Sequence, residues 1–253
     1  MKFIKKLILT IVLVIVLVVG GIFLFGYNMY SSAINETSLQ DKISKIKANE
    51  NFVPIDEVTD DFTNAIIAIE DHRFRDHSGI DIITTTRSML ENIKEKDIVA
   101  GGSTITQQTG RLLYFTQEQR FTRKVAELFV SFDLERMYSK DDILELYINI
   151  IYFGNGYYGI REASLGYFNK EPKDLTLDEA SLLAGLPNAP SVYAPNKNPD
   201  LAKKRQSAVL NAMLKYNYIT EDEKLEIENN NKYYFCGLHS PLLFIYRYLT
   251  LYL

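Results

Sequence analysis

From Leu7 to Tyr30 the chain carries no charged residue, and Lys2, Lys5 and Lys6 stand immediately before this run. No other feature limits the fold so firmly. A helix needs about 20 apolar residues to cross the hydrocarbon core of a bilayer, and this run exceeds that length. A secretory signal has an apolar region of only about 7–15 residues, followed by a small-residue cleavage site. "SSA" at 31–33 could imitate such a site, but the length of the run favours a retained anchor. Lysines flanking a span stay on the cytoplasmic side, which puts the chain beyond about residue 30 outside the membrane. The expected organisation is a cytoplasmic stub at 1–6, a transmembrane helix at 7–27, a tether at 28–50, one globular domain at 51–231 and an atypical tail at 232–253.

The globular part reads as α-helix. "DDFTNAIIAIE", "RKVAELFVSFDLERM", "DDILELYINIIYF", "LDEASLLAGL" and "LAKKRQSAVLNAMLKYNYI" each place apolar residues on one helical face. Thr116 precedes Gln119, Ser139 precedes Asp142, Thr176 precedes Glu179 and Thr220 precedes Glu223, a spacing that predicts four capping boxes. Gly and Pro gather in "AGGST", "FGNGYYG" and "LPNAPSVYAPNKNP", which read as loops. Alternating strand patterns are scarce. The fold class expected is therefore all-α, one domain with one N-terminal transmembrane helix. A net charge of −4 argues against general nucleic-acid binding. The single Cys236 can form no internal disulfide and belongs to no Cys/His metal spacing.

Three stretches could carry chemistry. In "AIIAIEDHRFRDHSGID" an apolar helix face runs straight into Glu70, Asp71, His72, Arg73, Arg75, Asp76 and His77, with Phe74 among them. A carboxylate at such a boundary is partly desolvated, which suits a general acid or base. A charged helix terminus would account for the charges equally well. In "GGSTITQQTGRLLYF", Gly101 and Gly102 allow close backbone approach, and Ser103, Thr104, Gln107 and Gln108 offer neutral hydrogen-bonding groups suited to a sugar. The plainer alternative is a loop followed by a Ser/Thr-capped helix. In "EQRFTRKVAE", Arg120, Lys124 and Glu127 share a helical face and Arg123 adjoins them. Three cations against one anion suit an anionic leaving group such as pyrophosphate; a salt-bridged exposed helix is the plainer reading.

In this order, these stretches resemble the peptidoglycan glycosyltransferases, family 51 of the glycosyltransferases. That family's first motif, E-D-x-x-F-x-x-H-x-G, is filled by Glu70, Asp71, Phe74, His77 and Gly79. Its second, G-x-S-T-x-x-Q-Q, is filled by Gly101, Ser103, Thr104, Gln107 and Gln108, and its third, R-K-x-x-E, by Arg123, Lys124 and Glu127. "YINIIYFGNGYYGIREASLGYFNK", which contains Asn155, and "LTLDEASLLAGLPNAPSVYAP" look like the fourth and fifth. The likeness runs from about residue 50 to about residue 225, and five ordered motifs make chance a poor explanation. Where the family often has Lys after the paired Gln, this chain has Arg111, which keeps the charge.

The resemblance implies a lysozyme-like helical fold and a membrane-bound, inverting enzyme that polymerises lipid II into glycan strands. Glu70 would be the general base for the acceptor's GlcNAc 4-hydroxyl, and Glu127 the second catalytic carboxylate, orienting cations or assisting the leaving group. Arg111, Arg120, Arg123 and Lys124 would hold pyrophosphate, with Mg or Mn as a candidate ion beside it. Asp71, Phe74, His77, Gly79, Ser103, Thr104, Gln107, Gln108 and Asn155 would line the substrate site. The partners implied are lipid II, the growing lipid-linked strand, the membrane and other cell-wall proteins, with no nucleic acid. The alternatives are a lytic enzyme of the same fold and an inactive wall scaffold. "KYYFCGLHSPLLFIYRYLTLYL" abandons the charged helical style, and no SxxK of a transpeptidase is found. It reads as the end of a monofunctional form or of a shortened reading frame.

Overall fold

The structure, a computed structural model, describes the backbone of residues 2–95, 101–115 and 121–237. Twelve helices run through it: α1 Lys2–Glu36, α2 Leu39–Lys47, α3 Asp60–Glu70, α4 Ile82–Glu95, α5 Ile105–Tyr114, α6 Phe121–Met137, α7 Lys140–Ile150, α8 Ile160–Phe168, α9 Leu177–Gly185, α10 Pro190–Tyr193, α11 Pro199–Lys215 and α12 Glu221–Gly237. No strand forms among the described residues, so the all-α expectation holds. The predicted caps hold for the same local reason that made them legible. Ser139 with Asp142 and Thr176 with Glu179 form reciprocal capping boxes, and Thr220 exchanges the same bonds with Glu223. The box expected at Thr116 and Gln119 lies outside the described residues, as do residues 238–253 of the tail.

The chain forms two compact units. The first is drawn from Met1–Glu57, Arg73–Ile151 and Tyr158–Glu162. Its α1 is long and apolar enough to cross a membrane, and its most apolar stretch is unburied. The other end of α1 is packed. Tyr27 and Tyr30 lie 5.3 and 5.4 Å from the ring of Phe129 on α6, and the Tyr30 hydroxyl donates to Asp133 at 2.5 Å. The stretch expected as a tether is therefore helical and anchored. The helix α1 runs unbroken to Glu36, and α2 buries Leu39 and Ile43 while Lys42 donates to the Leu113 carbonyl at 2.6 Å. Polar composition hid this, because two buried residues on a nine-residue helix make a faint pattern.

The core of this unit forms where α5, α6 and α7 meet. Ile105, Val130, Leu134, Ile143, Leu144 and Tyr147 are fully buried there. Tyr147 spends its hydroxyl on Gln108 at 3.1 Å.

The second unit takes Val58–His72, Tyr152–Tyr157 and Ala163–Leu253. Helices α3, α9 and α11 pack on one another through Phe62, Ile66, Leu183, Val209 and Leu210. Gln206, buried on α11, ties α9 in place by donating to the Asp178 carbonyl at 2.7 Å and to Ser181 Oγ at 3.0 Å. This packing fixes α3 along its length and brings its last residue, Glu70, to the edge of the core.

Candidate active site

The first motif divides between the units. Glu70 and Asp71 end α3 in the second, while Phe74, His77 and Gly79 belong to the first. Glu70 keeps 13% of its side chain exposed and lies 3.8 Å from the guanidinium of Arg205 on α11. Arg205 was not singled out in the sequence, where it is one of several cations on an amphipathic helix. No local spacing could have flagged it, since the pairing is made by helix packing. Asp71 is buried at the end of α3, its amide donating to the Ile67 carbonyl at 3.0 Å. His72 stacks on Tyr216, with ring centroids 4.3 Å apart.

The charges after Asp71 prove mainly structural. Arg73 pairs with buried Asp81 at 3.3 Å, and Arg75 pairs with Asp141 at 2.8 Å. Burial pushes the Asp81 carboxyl up, but the Thr84 hydroxyl and amide, with Arg73 beyond them, outweigh this and hold it below the ordinary carboxylate range. Asp81 thereby caps α4. Phe74, expected to touch substrate, is fully buried, and Lys140 lies 4.6 Å over its ring. It plugs the core beneath the loop, a structural place that the sequence did not reveal. His77 is half-buried, edge-on to Phe74 at 6.3 Å. Gly79 turns the loop with φ 86°, a conformation that L side chains rarely adopt.

The second motif is partly spent on structure. Thr104 and Gln107 form a capping box on α5, and the Thr104 hydroxyl donates to the Gly79 carbonyl at 2.7 Å. Both side chains are buried, and their cap bonds fix the loop's backbone. Gln108 accepts from Tyr147. Ser103 is different, because it joins the third motif by accepting from Lys124 Nζ at 2.7 Å.

The helix α6 carries that third motif as a cluster. The Glu127 carboxylate, only 1% exposed, takes Arg123 Nε at 3.3 Å and Lys124 Nζ at 2.9 Å. This is not a salt-bridged exposed face: the anion is buried, and it holds two cations of which Lys124 remains 44% exposed. Arg111 is half-buried in the last turn of α5. Arg120 lies outside the described residues. Asn155 sits in the second unit at φ 53° between two left-handed glycines, donating to Asn196 at 2.6 Å; the role visible for it is in shaping this turn.

Among the described residues no three His, Cys, Asp or Glu side chains gather into a metal site. Glu127 is ion-paired with Arg123 and Lys124, while neither of its buried oxygens makes a hydrogen bond of good geometry.

A family model described as Transglycosylase matches residues 37–214. The chain belongs to that family. The match covers all three quoted motifs, and it bears out the resemblance to peptidoglycan glycosyltransferases. Penicillin-binding protein 1F of Bacillus subtilis (strain 168) is 41% identical over 209 residues, which is 83% of this chain and 29% of that protein. Penicillin-binding protein 1A of Neisseria lactamica is 44% identical over 183 residues, 72% of this chain and 23% of the relative. Penicillin-binding protein 1A of Aquifex aeolicus (strain VF5) is 41% identical over 191 residues, 73% and 26% of the two chains. The chain thus spans less than a third of the length of these relatives.

Proposed function

We propose that this transglycosylase polymerises lipid II into glycan strands and releases undecaprenyl pyrophosphate, in cell-wall biosynthesis. The observation that carries the reading is the cluster on α6, where a buried carboxylate holds two cations and leaves Lys124 half in solvent beside Ser103. A cation held in place by a buried counter-charge is a ready partner for an anionic leaving group. A lytic enzyme needs a catalytic acid but no pyrophosphate site, so this cluster would have no use in it.

In the proposed transfer, Glu70 takes the proton of the acceptor's GlcNAc 4-hydroxyl. That oxygen attacks C1 of the donor MurNAc, and the C1–O bond to pyrophosphate breaks with inversion. The bonding electrons leave on the pyrophosphate oxygen, where Lys124, Arg123 and Arg111 stabilise the charge; Arg120 joins them by its place in the sequence. Glu127 holds Arg123 and Lys124. Enclosed with these two cations, it acts in this transfer as a positioning residue. A divalent cation, if bound beside these residues, would supply further neutralisation of the pyrophosphate charge. A lysozyme-like arrangement of the helices belongs to the same proposal.

The substrate's lipid stays in the bilayer, and α1 supplies the matching anchor. The proposed orientation has the lysines Lys2, Lys5 and Lys6 in the cytoplasm and the catalytic part outside. Protease added to intact spheroplasts should digest the catalytic part; full protection would reverse the orientation. For the activity, the full chain in lipid vesicles should convert lipid II to polymer and release undecaprenyl pyrophosphate. Cleavage of preformed glycan with lipid II left intact would make it lytic. A folded protein that does neither would be a scaffold.

A further inference from the structure

We propose that Arg205 is the positioning residue of Glu70: it holds the carboxylate at the attitude needed to accept a proton, and Gly185 exists to let it do so. This rests on reading Glu70 as the base. Three observations in the second unit support it.

The first is the contact. A guanidinium nitrogen of Arg205 lies 3.8 Å from Glu70 Oε1, with only 18% and 13% of the two side chains exposed. At that distance the charge attracts the carboxylate, but this nitrogen is beyond the roughly 3.2 Å reach of a hydrogen bond. It therefore biases the attitude of the carboxylate through charge and not through a hydrogen bond of its own.

The second is the fixing of the arginine itself. Its Nε donates to the carbonyl of Gly185 at 3.2 Å. The guanidinium is planar and rigid, so one bond through Nε sets the plane of the whole group. A Cβ on Gly185 would lie 2.9 Å from Arg205 Cγ, so any side chain there would push the stem aside. The close approach of α9 to α11 depends on this glycine.

The third is how the surrounding charges are assigned. The helices packed on α3 are α9 and α11. The acidic groups of α9 have other partners: Asp178 takes Lys203 at 3.7 Å and Gln206 at 2.6 Å, and Glu179 takes Lys170 at 2.8 Å. Arg205 is an α11 cation set against Glu70. The same helix ends at Tyr216, which stacks on His72, so α11 grips the Glu70–His72 turn at two points.

The test is steady-state kinetics on lipid II with the full chain in vesicles, beside melting temperatures. Arg205→Gln should lower kcat roughly 10- to 100-fold, the scale of a small misplacement of a reacting group, with KM within about two-fold. Arg205→Lys should recover part of the loss by restoring the charge. Gly185→Ala keeps the charge but displaces the stem, and it should lower kcat in the same way. An active wild type beside a folded Arg205→Gln of unchanged kcat overturns the inference and leaves the polymerase reading intact. Equal losses in Arg205→Gln and Arg205→Lys that follow melting temperature also overturn it, since the role would be structural. A wild type that leaves lipid II unconsumed overturns the reading and this inference together.

Discussion

Glu70 and Glu127 are the same side chain at the head of one motif and the foot of another, each beside arginine, yet their surroundings separate them. Glu70 ends its helix at the edge of the second unit's core, partly exposed, with the Arg205 contact at 3.8 Å. Glu127 lies inside α6 in the first unit, almost wholly enclosed, with cations at 2.9 and 3.3 Å. A carboxylate that must exchange a proton needs access. One that must hold cations needs enclosure and short contacts, because Coulomb attraction strengthens as water is excluded. The difference teaches that a motif's carboxylates are sorted into reacting and holding groups by burial, which no motif letter records.

Replacing Glu70 with Gln would break this comparison most sharply. The variant keeps shape but cannot take a proton at neutral pH, so lipid II turnover should fall about 10²–10⁴-fold with the fold and inhibitor binding retained. Moenomycin, a phosphoglycolipid inhibitor of the family, is the binding probe. Turnover above about a tenth of wild type would sink the assignment of Glu70 as base, since even the weak end of that range would be missing.

Glu127→Gln should act differently, through stability. Removing one partner of a fully buried pair costs about 3–5 kcal/mol; with Lys124 half in solvent, roughly 2–3 kcal/mol is expected here. For a chain of this size that is a fall in melting temperature of roughly 5–10 °C. Moenomycin affinity should weaken in parallel as Arg123 and Lys124 lose their anchor. Unchanged melting with a loss of rate as deep as that of Glu70→Gln would return Glu127 to the reacting class.

The smallest effect should come from Lys124→Ala. An ionised contact is worth about 1.5–3 kcal/mol, and the exposure of this lysine points to the lower end, about a ten-fold loss in moenomycin affinity. An affinity equal to wild type in the folded variant would leave the cluster a purely internal salt bridge and remove the observation that favours a polymerase.

Sequence alone determined whatever rests on neighbours along the chain. The uncharged run before Tyr30 specifies a helix able to span a bilayer, because spanning depends only on length and polarity. Ser139 and Thr176 cap their helices because the partner stands three residues on. The ordered motifs gave the family for the same reason, since they are spacings. Tertiary structure decided everything that depends on what comes in from elsewhere. It buried Phe74 under Lys140, turned the tether into a packed helix, enclosed Glu127 and brought Arg205 from α11 to Glu70. Burial and long-range pairing are properties of the packed neighbourhood and not of a residue's letter. The same Glu is a base at one edge and a clasp inside another because the water around it, and the distance to the next charge, are set only when the helices meet.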